Sequence, residues 1–127
     1  MERPKILLVD DEADLVELIK LHLEKSGYEV IAAQNGLEAL EKAREEKPDL
    51  VILDVMLPKL NGYEVCTLLK QDPRYQSIPI LVITAHGEAQ DLALAIECGA
   101  HSCLVKPIQL DVLLSRVQAL VTNGARR

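Results

Sequence analysis

Two stretches of the chain, LVIL at 50–53 and ILVI at 80–83, are apolar without interruption. A strand with one wet face alternates polar and apolar residues, so an unbroken run marks a strand covered on both faces. Such strands belong to a parallel sheet sandwiched between helices. The remaining sequence fits that frame, because short β-branched runs alternate with longer stretches of helical period in five β-α units. The pattern predicts strands over 5–9, 29–33, 50–53, 80–84 and 103–106.

The helices between them carry their own punctuation. Leu15, Leu18, Ile19 and Leu23 form an apolar stripe with Glu17, Lys20 and Glu24 facing away, and Gly27 supplies a stop. Asn35 with Glu38, and Asn61 with Glu64, have the spacing of a capping box at the starts of the second and third helices. Pro48 bars continuation of the second. Ala89, Leu92, Ala93 and Ile96 line a fourth helix ending at Gly99. Leu110, Leu113, Leu114, Val117, Leu120 and Val121 line the fifth and last. The stretch 72–79 reads as an exposed connection.

A chain of 127 residues, 49% hydrophobic, is expected to build one core, over 1–122, with 123–127 as a tail or the start of a linker. With 20 acidic against 14 basic residues and a net charge of -6, the domain is expected to be repelled by nucleic acid. No apolar run approaches the roughly 18 residues that span a bilayer, and acids break the N-terminal apolar stretch before it reaches signal-peptide length. A cytoplasmic protein with no membrane contact is the expectation. Cys66, Cys98 and Cys103 form neither a C-x-x-C motif nor an even framework, which suits reduced thiols.

In open parallel sheets ligands bind beyond the carboxyl ends of the strands, where the strand order reverses. Asp10 and Asp11 end the first predicted strand, Asp54 the third, Thr84 the fourth and Lys106 the fifth. Each has an ordinary reading: acids after a strand can cap the next helix, Thr favours strands, and a terminal Lys is commonly solvated. Their convergence on one rim favours a site. Three carboxylates and one ammonium leave two surplus negative charges, and like charges about 4 Å apart repel by roughly 4 kcal/mol at an effective dielectric near 20. An all-oxygen acidic cluster suits a hard divalent cation, which in turn recruits phosphate oxygens.

VDDE (9–12), LDVMLPKLNG (53–62), ITA (83–85) and VKP (105–107), in that order, resemble the receiver domain of bacterial two-component response regulators, of the chemotaxis-regulator type, from Lys5 to about Val121. The resemblance implies a flavodoxin-like, doubly wound parallel sheet of order 2-1-3-4-5 flanked by five helices. It implies that Asp54 accepts a phosphoryl group from the phosphohistidine of a sensor histidine kinase or histidine phosphotransfer protein. It further implies Mg²⁺, or Mn²⁺ in its place, held directly by Asp11, Asp54 and the Met56 carbonyl and through water by Asp10. Thr84 and Lys106 would bind the phosphoryl group, and the Lys106–Pro107 bond would be cis. Such a domain is a switch that promotes its own phosphorylation and dephosphorylation rather than an enzyme, and relatives commonly dimerise through the fourth and fifth helices.

Departures from the pattern matter too. The aromatic residue usual three positions before the lysine is Cys103 here, read as a small buried hydrophobe, and Ile108 stands where Phe often follows the proline. Met56 and His86, each two residues past a site residue, are candidates to tune hydrolysis through water access. His22 and His101 are assigned no chemistry. Two other classes compete: a docking or dimerisation module indifferent to phosphate, and an aspartate-nucleophile phosphatase, which would need a second acid where Met56 stands. No G-x-G-x-x-G or P-loop follows the first strand.

Overall fold

A computed structural model of the chain describes residues 3–57, 60–85, 93 and 96–125, with side chains up to 122. Five strands, β1 (Lys5–Val9), β2 (Glu29–Ala33), β3 (Leu50–Asp54), β4 (Ile80–Thr84) and β5 (Ser102–Val105), pair in parallel in the order β2-β1-β3-β4-β5. Four helices are seen among the described residues: α1 (Ala13–Lys25), α2 (Gly36–Glu46), α3 (Gly62–Gln71) and α4 (Leu110–Ala125). The helix expected over Ala89, Leu92, Ala93 and Ile96 falls largely outside the described residues. Only Ala93, Ile96 and Glu97 of that stretch are seen, in helical conformation.

The unbroken apolar strands divide their side chains between two cores. Leu7, Val9, Val51, Leu53, Ile80 and Val82 point to one face, where Ala39, Leu40 and Ala43 of α2 and Val65, Cys66 and Leu69 of α3 cover them. Ile6, Leu8, Leu50, Ile52, Leu81 and Ile83 point to the other, under Ile19 and Leu23 of α1 and Leu113 and Val117 of α4. Each such Leu or Ile removed from water contributes about 1.5–3 kcal/mol. Double coverage thus explains why β3 and β4 contain no polar residue until their last position.

Several local expectations need correction. Leu18 is 44% exposed, and the buried stripe of α1 instead runs through Leu15, Val16, Ile19 and Leu23. α1 ends in a Schellman motif: Gly27, at φ +96°, donates to Glu24 O, and Tyr28 N–H donates to Leu23 O. Asn61 and Glu64 form the reciprocal capping box. Asn35 accepts the Glu38 N–H, but the Glu38 carboxylate stands 3.8 Å from Lys42 Nζ instead of returning to the cap. The connection 72–79 is not simply exposed, since Tyr75, Ile78 and Pro79 are buried. Its turns are held by Tyr75 N–H to Asp72 O and by Lys70 Nζ donating to the Gln76 and Ile78 carbonyls. The last helix continues to Ala125. β5 begins at Ser102, one residue earlier than expected, and stops before Lys106.

Candidate functional site

The sheet order reverses between β1 and β3, and the carboxyl ends of those strands hold the two buried acids. Asp10 follows β1 with 1% of its surface exposed, and Asp54 closes β3 with 2% exposed. Neither caps a helix: the residue at the α1 cap is Glu12, whose side chain makes no capping hydrogen bond. Instead Asp10 Oδ1 accepts the Glu12 N–H at 2.9 Å, and Asp54 Oδ1 accepts the Met56 N–H at 2.9 Å. Each carboxylate is therefore fixed by the backbone two residues onward, leaving its second oxygen turned to the rim.

Lys106 reaches those second oxygens from the far side. Its N–H donates to Thr84 O at 2.8 Å, extending the β4–β5 pairing by one residue, and its peptide bond to Pro107 is cis. Lys106 Nζ donates to Asp54 Oδ2 at 2.9 Å and stands 3.5 Å from Asp10 Oδ2. It also donates to Glu12 Oε1 in a short ion pair. Thr84 is buried at the end of β4, and the Val55 N–H donates to Ile83 O beside it. Met56 is 65% exposed at the mouth of the site.

Burial is the main force raising the Asp10 carboxyl from 3.8 to about 6. The Glu12 N–H and Lys106 oppose this rise, while the charges of Asp54 and Glu12 add to it. Burial pulls the Lys106 ammonium down, but hydrogen bonds to Glu12 and Asp54 outweigh it and hold its pKa above the ordinary lysine value. Asp10 Oδ2 is buried and has no hydrogen-bond partner. Lys106 Nζ, 3.5 Å away, is its ion-pair partner, and the neighbouring acids can supply a ligand set for a metal cation. One oxygen each from Asp10, Glu12 and Asp54 lies within 4.8 Å of the others. Hard divalent ions take such all-oxygen sets, so the residues fit Mg²⁺.

The rim thus brings together Asp10, Asp54, Thr84 and Lys106, as the sequence places them. Asp11 is exposed and lies outside the acidic trio, whose third member is Glu12. Glu12 was present in the VDDE motif without an assigned role, because an acid at a helix start is indistinguishable by type from one that serves the dipole. His86 lies outside the described residues. Cys103 packs, partly buried, against the core shared with α3, and its carbonyl accepts a long hydrogen bond from Arg116 at 3.5 Å. His101 accepts the Ile80 N–H on Nδ1 at 3.2 Å, at the end of the sheet away from the acids.

A doubly wound sheet with two buried acids and a lysine converging at its switch point is the architecture of receiver domains. The family model for the response regulator receiver domain matches residues 6–118, and the chain belongs to that family. It is 50% identical to the alkaline phosphatase synthesis transcriptional regulatory protein PhoP of Bacillus subtilis, over 94% of this chain and 49% of that protein. It is 45% identical to the CpxR homolog of Haemophilus influenzae, over 95% of this chain and 52% of that protein. The chain therefore spans about half the length of the curated relatives it matches. Among solved structures, the signal receiver domain of a signal transduction histidine kinase from Syntrophus aciditrophicus superposes with a TM-score of 0.91 at 35% identity, covering 98% of this chain and 94% of that one. Among the described residues, no helix is long and apolar enough to cross a membrane.

Proposed function

We propose that this receiver domain is a phosphorylation switch in which Asp54 is the phosphoacceptor. The observation that carries the reading is the buried Asp54 carboxylate, one oxygen tied to the Met56 N–H and the other to Lys106, beside the buried Asp10 oxygen that accepts no hydrogen bond. A carboxylate so held is a positioned nucleophile. Its oxygen attacks the phosphorus of a phosphohistidine on a kinase or phosphotransfer partner. The P–N bond breaks, its electron pair returns to the imidazole, and an aspartyl phosphate remains.

Asp10, Glu12 and Asp54 would hold Mg²⁺ or Mn²⁺, with Asp11 and the Met56 carbonyl as further ligands on the same rim. Bound there, the ion neutralises the phosphoryl oxygens. Lys106 exchanges its Asp54 partner for a phosphoryl oxygen, and the Thr84 hydroxyl donates to another. Water then hydrolyses the acyl phosphate, and Met56 and His86 set how easily that water enters. Equal phosphoryl lifetimes in wild type and His86→Ala would remove the His86 part of this reading.

The helix expected over Ala89, Leu92, Ala93 and Ile96, the fourth in chain order, completes the five that flank the sheet. It and α4 form the surface through which copies of the chain pair, in the cytoplasm. The unit spans 1–122, and with a net charge of -6 it makes no direct contact with nucleic acid. Cys103 acts as a core residue, so output runs through Thr84 and the helix after it.

The test is incubation with acetyl phosphate and Mg²⁺, read by intact mass. One added phosphoryl group, absent in Asp54→Ala and without Mg²⁺, is expected. No gain in the wild type would overturn the switch and leave a docking module.

A further inference from the structure

Cys66 and Cys98, 32 residues apart in sequence, meet in the interior. Cys66 sits on the inner face of α3, fully buried, and Cys98 is buried at the end of the β4–β5 connection, just before Gly99 turns the chain at φ +94°. The Cys66 thiol donates to the Cys98 carbonyl at 3.2 Å, which sets the two cysteines against each other. One turn further along α3, the aliphatic stem of Lys70 runs against Gly99, close enough that a Cβ on that glycine would lie 2.8 Å from Lys70 Cγ. The Lys70 ammonium itself is held by the Gln76 and Ile78 carbonyls, and the residues flanking Cys98 on its N-terminal side, Ile96 and Glu97, are exposed.

The two sulfurs are not equivalent. The hydrogen bond from Cys66 lowers the pKa of Cys98, with further help from the backbone N–H groups of Ala100 and Cys98 and from Lys70. Cys66 is shifted upward by the same hydrogen bond and by burial. Packing alone asks only for two small apolar groups. A donor thiol set against a more acidic acceptor thiol, just beneath the surface, is the arrangement of an attacking and a resolving cysteine.

We propose that Cys66 and Cys98 form an oxidisable dithiol that hydrogen peroxide closes to an intramolecular disulfide. The Cys98 thiolate attacks one peroxide oxygen, the O–O bond breaks, and a sulfenic acid forms while hydroxide takes up a proton to become water. The Cys66 sulfur then attacks the Cys98 sulfur, the S–O bond breaks, and the departing hydroxide takes the Cys66 proton. Two thiols and one peroxide thus become one disulfide and two waters. The bridge closes a loop that contains β4 and Thr84, so it ties the end of the β4–β5 connection to α3 and restrains everything between. This inference is independent of the phosphoacceptor reading.

The test treats the reduced full chain with hydrogen peroxide, removes the excess with catalase, and reads intact mass and a non-reducing peptide map with fragmentation that separates Cys98 from Cys103. A loss of about 2 Da with a Cys66–Cys98 cross-link is expected. The loss should vanish in Cys66→Ser and Cys98→Ser and persist in Cys103→Ser. Mapping the wild type directly keeps the result clear even if a serine variant fails to fold. Oxygen addition without a cross-link, a bridge to Cys103, or disulfides only between chains would each overturn the proposal.

Discussion

Replacing Asp10 with Asn should make the metal-free domain more stable at neutral pH. Burial, with the charge of Asp54 adding to it, pushes the Asp10 carboxyl of the folded chain up from its ordinary 3.8 to about 6. Because the folded value is the higher one, the folded state binds this proton more tightly than the unfolded state. The stability associated with the group is complete below the unfolded value and is lost as pH rises through about 6. Each tenfold change in proton affinity corresponds to about 1.4 kcal/mol, so ionising this buried group costs on the order of 3 kcal/mol by pH 7.5. Asn keeps the oxygen that accepts the Glu12 N–H and carries no charge. Its amide must find a new partner near Lys106, which reduces the expected gain to about 1–3 kcal/mol. The assay is urea unfolding with EDTA from pH 4.5 to 7.5. The wild-type midpoint should fall across that range relative to the variant, and the variant should lie above it by about 0.5–1.5 M at pH 7.5, for a slope of about 2 kcal/mol/M. Saturating Mg²⁺ should narrow the gap by stabilising the wild type preferentially. An Asn variant no more stable than wild type at pH 7.5 in EDTA, or a difference independent of pH, would refute the reasoning.

Two further substitutions probe the same rim. Gly62→Ala should lower stability by about 1–3 kcal/mol in thermal unfolding, because its Cβ would lie 2.4 Å from the Asp54 carbonyl and 2.7 Å from Val55 Cα, neither of which can yield. Lys106→Ala removes the cation that already occupies the acids, and calorimetric titration should show Mg²⁺ binding about tenfold tighter, a change of about 1.4 kcal/mol that is well within one charge pair at an effective dielectric near 20.

The parts of this molecule that repeat along the sequence were the parts that could be read from it. Unbroken apolar runs located β3 and β4, since burial on both faces leaves its mark in residue type alone, while the alternation of short β-branched runs with helical stretches located the other three strands. Asp54 was legible because a carboxylate directly after LVIL interrupts that mark at the sheet rim. Glu12 was not, because its partner Lys106 is 94 residues away and an acid beside a helix start is commonplace. Leu18 was misplaced for a related reason: it shares the helical period of Ile19 and Leu23 but lies at the edge of the covered face. Residues 72–79 hid their anchors among polar neighbours, so that the stretch reads as an exposed connection until α3 and its Lys70 are in place. The meeting of Cys66 and Cys98 likewise depends on how α3 packs, which residue spacing does not encode.

Gly36 and Gly62 give Asp54 a rigid backing. A Cβ on Gly36 would lie 1.9 Å from the Leu60 carbonyl oxygen, while Gly62 presses on the Asp54–Val55 backbone. Main chain meets main chain at both places, with no rotamer available to absorb a displacement. A displacement of the Asp54–Val55 backbone toward α3 is therefore blocked at Gly62, and one of the Leu60 backbone toward α2 is blocked at Gly36.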